Sequence, residues 1–176
     1  LLLAADPVTA EGLRDRALFE LVYGAGLRIS EAVGLRVERL TLDQAALVVD
    51  GKRGKQRVVP LPAETIEWLE RYMEVGRPKL VRRPSPWVFV GNRGLPLSRQ
   101  SAYQRLRRLA VLAGVPGPIG PHVLRHTYAV DLLKGGADLR AVQELLGHES
   151  IATTQIYTEL DLSEVARRYR AAHPRR

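Results

Sequence analysis

The 176-residue chain contains no cysteine. That absence excludes a disulfide-stapled scaffold, a zinc site built on thiolates and an iron–sulfur cluster. It carries no information about redox compartment. Long apolar runs are missing as well: none approaches the roughly 18–20 residues of a membrane helix. The opening Leu1–Ala5 has neither the length nor the preceding basic residues of a signal peptide. There is no initiator methionine, so the chain is expected to be a fragment of something longer. The setting these absences lead us to expect is soluble and cytoplasmic, with no membrane partner. The length suits a single domain, residues 1–176, able to bury a core of its own.

Acidic residues are nearly missing from one stretch. Residues 71–108 hold ten basic side chains against Glu74 alone, a net charge of +9, while residues 1–70 sum to −2 and residues 109–176 to +1. The chain's overall +8 therefore comes from this single stretch, which includes Arg82, Arg83, Arg105, Arg107 and Arg108. Such a stretch reads as an electrostatic footprint for a polyanion, because neutralised phosphates release counterions. The competing reading is a solvated basic face that serves solubility.

The hydrophobic pattern is mostly helical. After Thr9, an N-cap residue type, Leu13, Ala17, Leu18, Leu21 and Val22 recur at helical spacing until Gly24 or Gly26, and a short helix is expected over 30–35. Ala46–Val49 and Arg57–Leu61 read as two strands joined through Asp50-Gly51 and a second glycine, Gly54, which predicts a hairpin. An amphipathic helix is expected over 63–75, with Ile66, Leu69 and Met73 on one face. A proline-rich connector (Pro78, Pro84, Pro86) then leads to a short strand, Trp87–Val90. A further helix spans 98–113, with Leu106, Leu109, Ala110 and Ala113 inward. Pro121 suits the first turn of a helix that runs to Lys134, where Gly135-Gly136 stops it. Asp138 caps the next helix, which ends at Gly147, and Ser150 and Leu162–Ala172 mark two more. The fold class expected is mainly α with a small antiparallel β-sheet, an α+β domain.

His122, Arg125, His126, His148 and Tyr157 crowd into the C-terminal third. His122 and Arg125 stand three apart and so project from one helix face. His122 and His126 have the spacing of a zinc-protease helix, but Val123 stands where that motif needs its glutamate, so no metal site is assigned. Taken singly, each residue has an ordinary explanation. His148 suits a helix end with free carbonyls, and Tyr157 suits a half-buried ring. Arg28 could be a surface arginine, or one positioned by Glu31 three residues on, and Lys52 could be a solvated loop lysine.

Taken together they match a pattern. The run Tyr23-Gly24-Ala25-Gly26-Leu27-Arg28-Ile29-Ser30-Glu31 resembles the first arginine box of the tyrosine recombinases, the λ-integrase and Xer group. Pro121-His122-Val123-Leu124-Arg125-His126-Thr127 resembles the H-x-x-R box of that family. Leu145-Leu146-Gly147-His148 and the segment Thr153–Tyr157 resemble its third box and nucleophile. Gly51-Lys52-Arg53-Gly54-Lys55-Gln56-Arg57 is similar to its lysine-bearing hairpin. The resemblance covers Leu13 to about Arg170, in the family's order. It implies the family's catalytic-domain fold, without the N-terminal DNA-clamping domain, for which nothing here corresponds.

The resemblance also implies a chemistry that needs these residue types. Cutting a DNA phosphodiester requires stabilisation of the charge on the non-bridging oxygens, and two guanidiniums, Arg28 and Arg125, can clamp them bidentately. His148 would donate to the same oxygens. His122 would bond the phosphate or help take a proton from Tyr157, the nucleophile. Tyrosine has an unperturbed pKa near ~10, and neighbouring cations favour its phenolate. Lys52, with Lys55 as the alternative, would protonate the departing 5′-oxygen. Glu31 would orient Arg28. Arg53, Lys55, Arg105 and Arg108 are the expected DNA-binding residues. No cofactor is implied. The partners implied are double-stranded DNA, other recombinase protomers joined in a ring through the C-terminal helix, and a DNA translocase. A type IB topoisomerase shares the chemistry, and a non-catalytic basic DNA-binding module shares the charge. Both remain alternatives to a site-specific recombinase at this point.

Overall fold

In the computed structural model, residues 1–50, 56–91 and 94–146 are described. Helix α1 (Ala10–Gly24) begins where the Thr9 hydroxyl accepts the Gly12 amide at 3.0 Å. An apolar stripe at this spacing needs only one buried face. Instead every residue from Gly12 to Val22 is buried, including Arg14, Asp15, Arg16 and Glu20. The reason is its place at the centre of the molecule, where α2 (Ile29–Val33), α3 (Ala63–Arg71), α5 (Arg99–Leu112) and α6 (Pro121–Lys134) all pack on it.

Charges buried this way must be paired. Arg14 bonds Asp15 at 2.9–3.0 Å and donates to the Val90 carbonyl at 3.1 Å, while Arg105 reaches Asp15 from α5 at 3.0 Å. Arg16 pairs with Glu20 at 2.7 Å and Glu64 at 3.4 Å, with its guanidinium 4.7 Å from the Trp68 ring centroid.

The hairpin lies where expected. Strands β2 (Ala46–Asp50) and β3 (Gln56–Pro60) pair antiparallel in a register that sets Val49 against Arg57 and Asp50 against Gln56. The sequence pattern did not mark β1 (Leu40–Thr41), which adds to β2 as the third strand.

Other expectations are corrected beyond the sheet. Pro78 is not in a connector: α3 runs into a π-turn, Tyr72–Gly76, and then into α4 (Arg77–Leu80), with Pro78 as its second residue. Proline has no N–H to offer an i−4 carbonyl and its ring crowds that carbonyl. The wider turn, in which the Arg77 amide reaches Tyr72 O, absorbs the misfit. Nor do Trp87–Val90 form a strand. They make only isolated bridges, Arg36 to Trp87 and Val90 to Pro96. Pro84, Pro86 and Pro96 withhold the donors a longer ladder needs. The segment is still core: Val88, Phe89 and Val90 are fully buried, and the Tyr72 ring stacks on Phe89 at 5.6 Å with its hydroxyl donating to Val88 O at 3.0 Å. That burial pushes the Tyr72 phenol up to about 12.

Ser98 caps α5 through the Ser101 amide at 3.0 Å, and Leu106, Leu109 and Ala110 are buried, but Ala113, expected inward, is exposed beyond the helix end. Helix α6 has the expected bounds, and Asp138 caps α7 (Leu139–Leu146) through Ala141 at 3.3 Å. Tyr128, Leu132, Val142 and Leu146 form a small second core between α6 and α7. The Tyr23 hydroxyl ties α1 to α6 through Asp131 at 2.8 Å. Among the described residues, no helix is long and apolar enough to cross a membrane. The helices expected after Ser150 and over 162–172 lie outside the described residues.

Candidate active site

The residues flagged in the first and second boxes meet where the end of α1, the start of α2 and α6 come together. Gly26 turns the chain with φ +61°, and a side chain there would start 2.4 Å from the Tyr128 ring. Only glycine allows both the left-handed backbone and the ring's approach. The turn leaves Arg28 as the N-cap residue of α2 and aims the Gly26 carbonyl at α6.

Arg125 is held at both ends of its guanidinium. Its Nη1 donates to Gly26 O at 2.7 Å and its Nη2 to Leu146 O at 2.6 Å. One side chain thus joins the loop before Arg28 to the end of α7, two residues before His148 in the sequence. Burial, and then the neighbouring charges of Arg28 and Arg57, push Arg125 down to about 10, with Glu31 and Tyr128 acting the other way. It is therefore still a cation at neutral pH. Burial also raises the phenol of Tyr128 strongly, against the opposing pull of Arg125 and Arg57.

Glu31 does more than its spacing from Arg28 conveys. Its Oε2 accepts the Arg28 amide at 2.8 Å and its Oε1 the Arg28 Nη1 at 3.2 Å. Arg57 then grips the same carboxylate with both terminal nitrogens, at 3.0 and 2.8 Å. Burial would raise the Glu31 carboxyl, but the Arg57 hydrogen bond, the Arg28 amide and both guanidinium charges outweigh it and hold it below its ordinary value. In the sequence Arg57 counts only as one more basic residue of the hairpin. The available signal was its place in β3, across from Val49, which is buried.

His122 is exposed on α6 one turn before Arg125, as its spacing requires, and His126 is exposed on the next turn. No group of three or more His, Asp or Glu side chains able to hold a metal occurs among the described residues. Arg105, expected to contact DNA, closes the Asp15 pair with its guanidinium and is partly exposed, while Arg107 and Arg108 are exposed on α5. The helix period decides this, because residue 105 faces α1 and residues 107 and 108 face away. Lys52, Arg53, Lys55, His148 and Tyr157 lie outside the described residues.

What the arrangement offers is a cationic edge: Arg125 held at both ends of its guanidinium, Arg28 paired more loosely with one ionised carboxylate, and His122 exposed one turn before Arg125 on α6. Such a set suits the charge of a phosphoryl group.

The phage integrase family model matches residues 1–164. A tyrosine recombinase XerD from Lacticaseibacillus casei is 46% identical over 176 residues, covering 98% of this chain and 60% of the relative. A second XerD, from Corynebacterium glutamicum, is 47% identical over 171 residues, with 97% and 56% covered. Among solved structures, the XerA recombinase superposes with a TM-score of 0.76 at 29% identity, over 96% of this chain and 61% of that one. The XerH recombinase bound to its palindromic difH substrate, a post-cleavage complex, gives 0.73 at 29% identity, over 94% and 49%. The chain spans about three fifths of the length of the curated relatives it matches.

Proposed function

Because this chain belongs to the phage integrase family, we propose that it is the catalytic part of an Xer-type, site-specific DNA recombinase that cuts and rejoins strands through a 3′-phosphotyrosyl intermediate. The observation that carries this reading is the pinning of Arg125 between Gly26 O and Leu146 O, which sets it against Arg28 at one edge of the fold.

In this proposal the phenolic oxygen of Tyr157 attacks the scissile phosphorus, the bond to the 5′-oxygen breaks, and that oxygen takes a proton from Lys52. Arg28 and Arg125 hold the non-bridging oxygens, where charge builds in the transition state. His148 donates to the same oxygens, and His122 accepts the tyrosine proton or bonds the phosphate. A 5′-hydroxyl from another strand then attacks the phosphotyrosine and releases Tyr157. The ester conserves the bond energy, so the reaction asks for no nucleotide hydrolysis. The XerH neighbour's DNA complexes support double-stranded DNA as the substrate class. Other copies of the protein, arranged in a ring, are the partners proposed for exchange, with a DNA translocase as a further one.

The test is covalent trapping on nicked suicide duplexes, read on a denaturing gel. Wild type should form the adduct and Tyr157→Phe should not, with DNA binding close to normal. An adduct that survives in Tyr157→Phe overturns the nucleophile. A folded, DNA-binding wild type that forms none favours the non-catalytic module. Relaxation of supercoils without strand exchange would assign the topoisomerase reaction instead.

A further inference from the structure

The Glu31 carboxylate accepts four hydrogen bonds, two from Arg28 and two from Arg57, so its lone pairs are filled. The two arginines are not equivalent. The Arg57 pair is bidentate, and its partners are 14% and 11% exposed, whereas the Arg28 side chain is 46% exposed and meets Glu31 through one longer contact. A largely shielded fork-to-fork pair fixes geometry, and an exposed single contact does so weakly. Arg57 therefore decides where the carboxylate sits, and the carboxylate is the anchor against which Arg28 is oriented.

We propose that Arg57 is a positioning residue for Arg28, acting through Glu31, and that its bidentate grip sets the alignment of the phosphate-binding arginine. This rests on the strand-cleavage reading above. A direct phosphate contact by Arg57 does not fit, because both terminal nitrogens are turned onto Glu31 and the side chain is only 14% exposed. Its Nε has no partner among the described residues. Arg57 also adds a third positive charge felt by Arg125, so its loss would disturb the site's electrostatics as well as its geometry. The carboxylate in turn ties β3, the strand that follows residues 51–55, to the first turn of α2.

The experiment uses the whole chain on nicked duplexes that carry, at the scissile position, a phosphodiester, a methylphosphonate or a 5′-phosphorothiolate. Arg57→Ala should slow adduct formation on the phosphodiester by about tenfold to hundredfold, with DNA affinity within about threefold of wild type. On the methylphosphonate, which lacks the anionic oxygen that an arginine meets, the loss should shrink to below about threefold, as it should for Arg28→Ala. Arg57→Lys keeps the charge and most of the volume but cannot grip bidentately, so it should show the same substrate pattern in a chain that still folds. Glu31→Gln combined with Arg57→Lys should be no slower than Glu31→Gln alone.

Equal losses on phosphodiester and methylphosphonate would mean a merely structural role and overturn the proposal. Rescue by the phosphorothiolate alone, whose leaving group needs no proton, would place the effect on Lys52 instead and overturn it too. A wild-type chain that forms no adduct removes the proposed function and this inference with it. A wild type that does, beside an Arg57→Lys variant with unaltered rate and substrate ratio, removes the inference alone.

Discussion

Gly26 and Glu31 are two positions where one atom more or one proton more changes the site. A methyl at Gly26 would meet the Tyr128 ring at 2.4 Å on a backbone at φ +61°. Tyr128 is fully buried and cannot swing outward. Gly26→Ala should therefore cost about 3 kcal/mol, from strain and overpacking together, and chemical denaturation will show it as a lowered midpoint with an unchanged slope. Since Gly26 O also anchors Arg125, the variant should lose adduct formation beyond its loss of stability. Glu31 makes the site sensitive to acid. Its carboxyl titrates below the ordinary 4.5, so the folded state prefers the ionised form. The stability this provides is complete above 4.5 and is lost as pH falls through the lower folded value. Unfolding free energies of wild type and Glu31→Gln should converge in that acid window and separate above it. Parallel curves would show that the carboxylate contributes nothing through its charge.

At the scale of elements, α1 matters most because it is wrapped on all sides. Glu20 is 0% exposed and Arg16 3%, so Glu20→Ala would strand a guanidinium in the interior. Glu64 at 3.4 Å and the Trp68 ring offset part of that. The expected loss is about 3 kcal/mol, read from urea unfolding, and a loss under about 1 kcal/mol would show that Arg16 escapes to solvent. The tie between α1 and α6 is smaller: Tyr23→Phe removes the 2.8 Å bond to Asp131 and should cost about 1 kcal/mol. The elements readable in the sequence were those whose ends carry local chemistry. Thr9, Ser98 and Asp138 cap helices by bonding amides three residues on, and Pro121 and Gly135 bound α6. The misread ones depend on distant neighbours. Pro78 sits in a helix because a π-turn precedes it, and Trp87–Val90 is core without being a strand because prolines stop its ladder.

At the scale of the whole molecule, the basic stretch divides by the faces of α5. Arg105 belongs to the interior network through Asp15, while Arg107 and Arg108 are exposed. If the exposed pair meets phosphates, Arg107→Ala with Arg108→Ala should flatten the plot of log K against log salt by about 0.9 for each phosphate no longer neutralised. Arg105→Ala should leave that slope alone and lower thermal stability instead. The opposite pattern would return Arg105 to the DNA and make the other two part of a solvated face.

The sequence by itself determined the family, the α+β class and the position of the hairpin, and it named the candidates for the catalytic roles. Each of these is written in short-range signals: boxes of fixed spacing, caps, and turn residues between apolar runs. Only the tertiary structure decided that Arg57, 26 residues from Glu31, grips its carboxylate, that Arg125 spans from Gly26 to Leu146, and that Arg105 faces inward. A charged side chain's partner depends on which elements the fold brings within hydrogen-bond reach of it. Pairs at such separations leave no periodic trace in a single sequence. The buried charges of α1 follow the same logic: an arginine on a helix is solvated or paired according to what packs over it, and here α3 and α5 do.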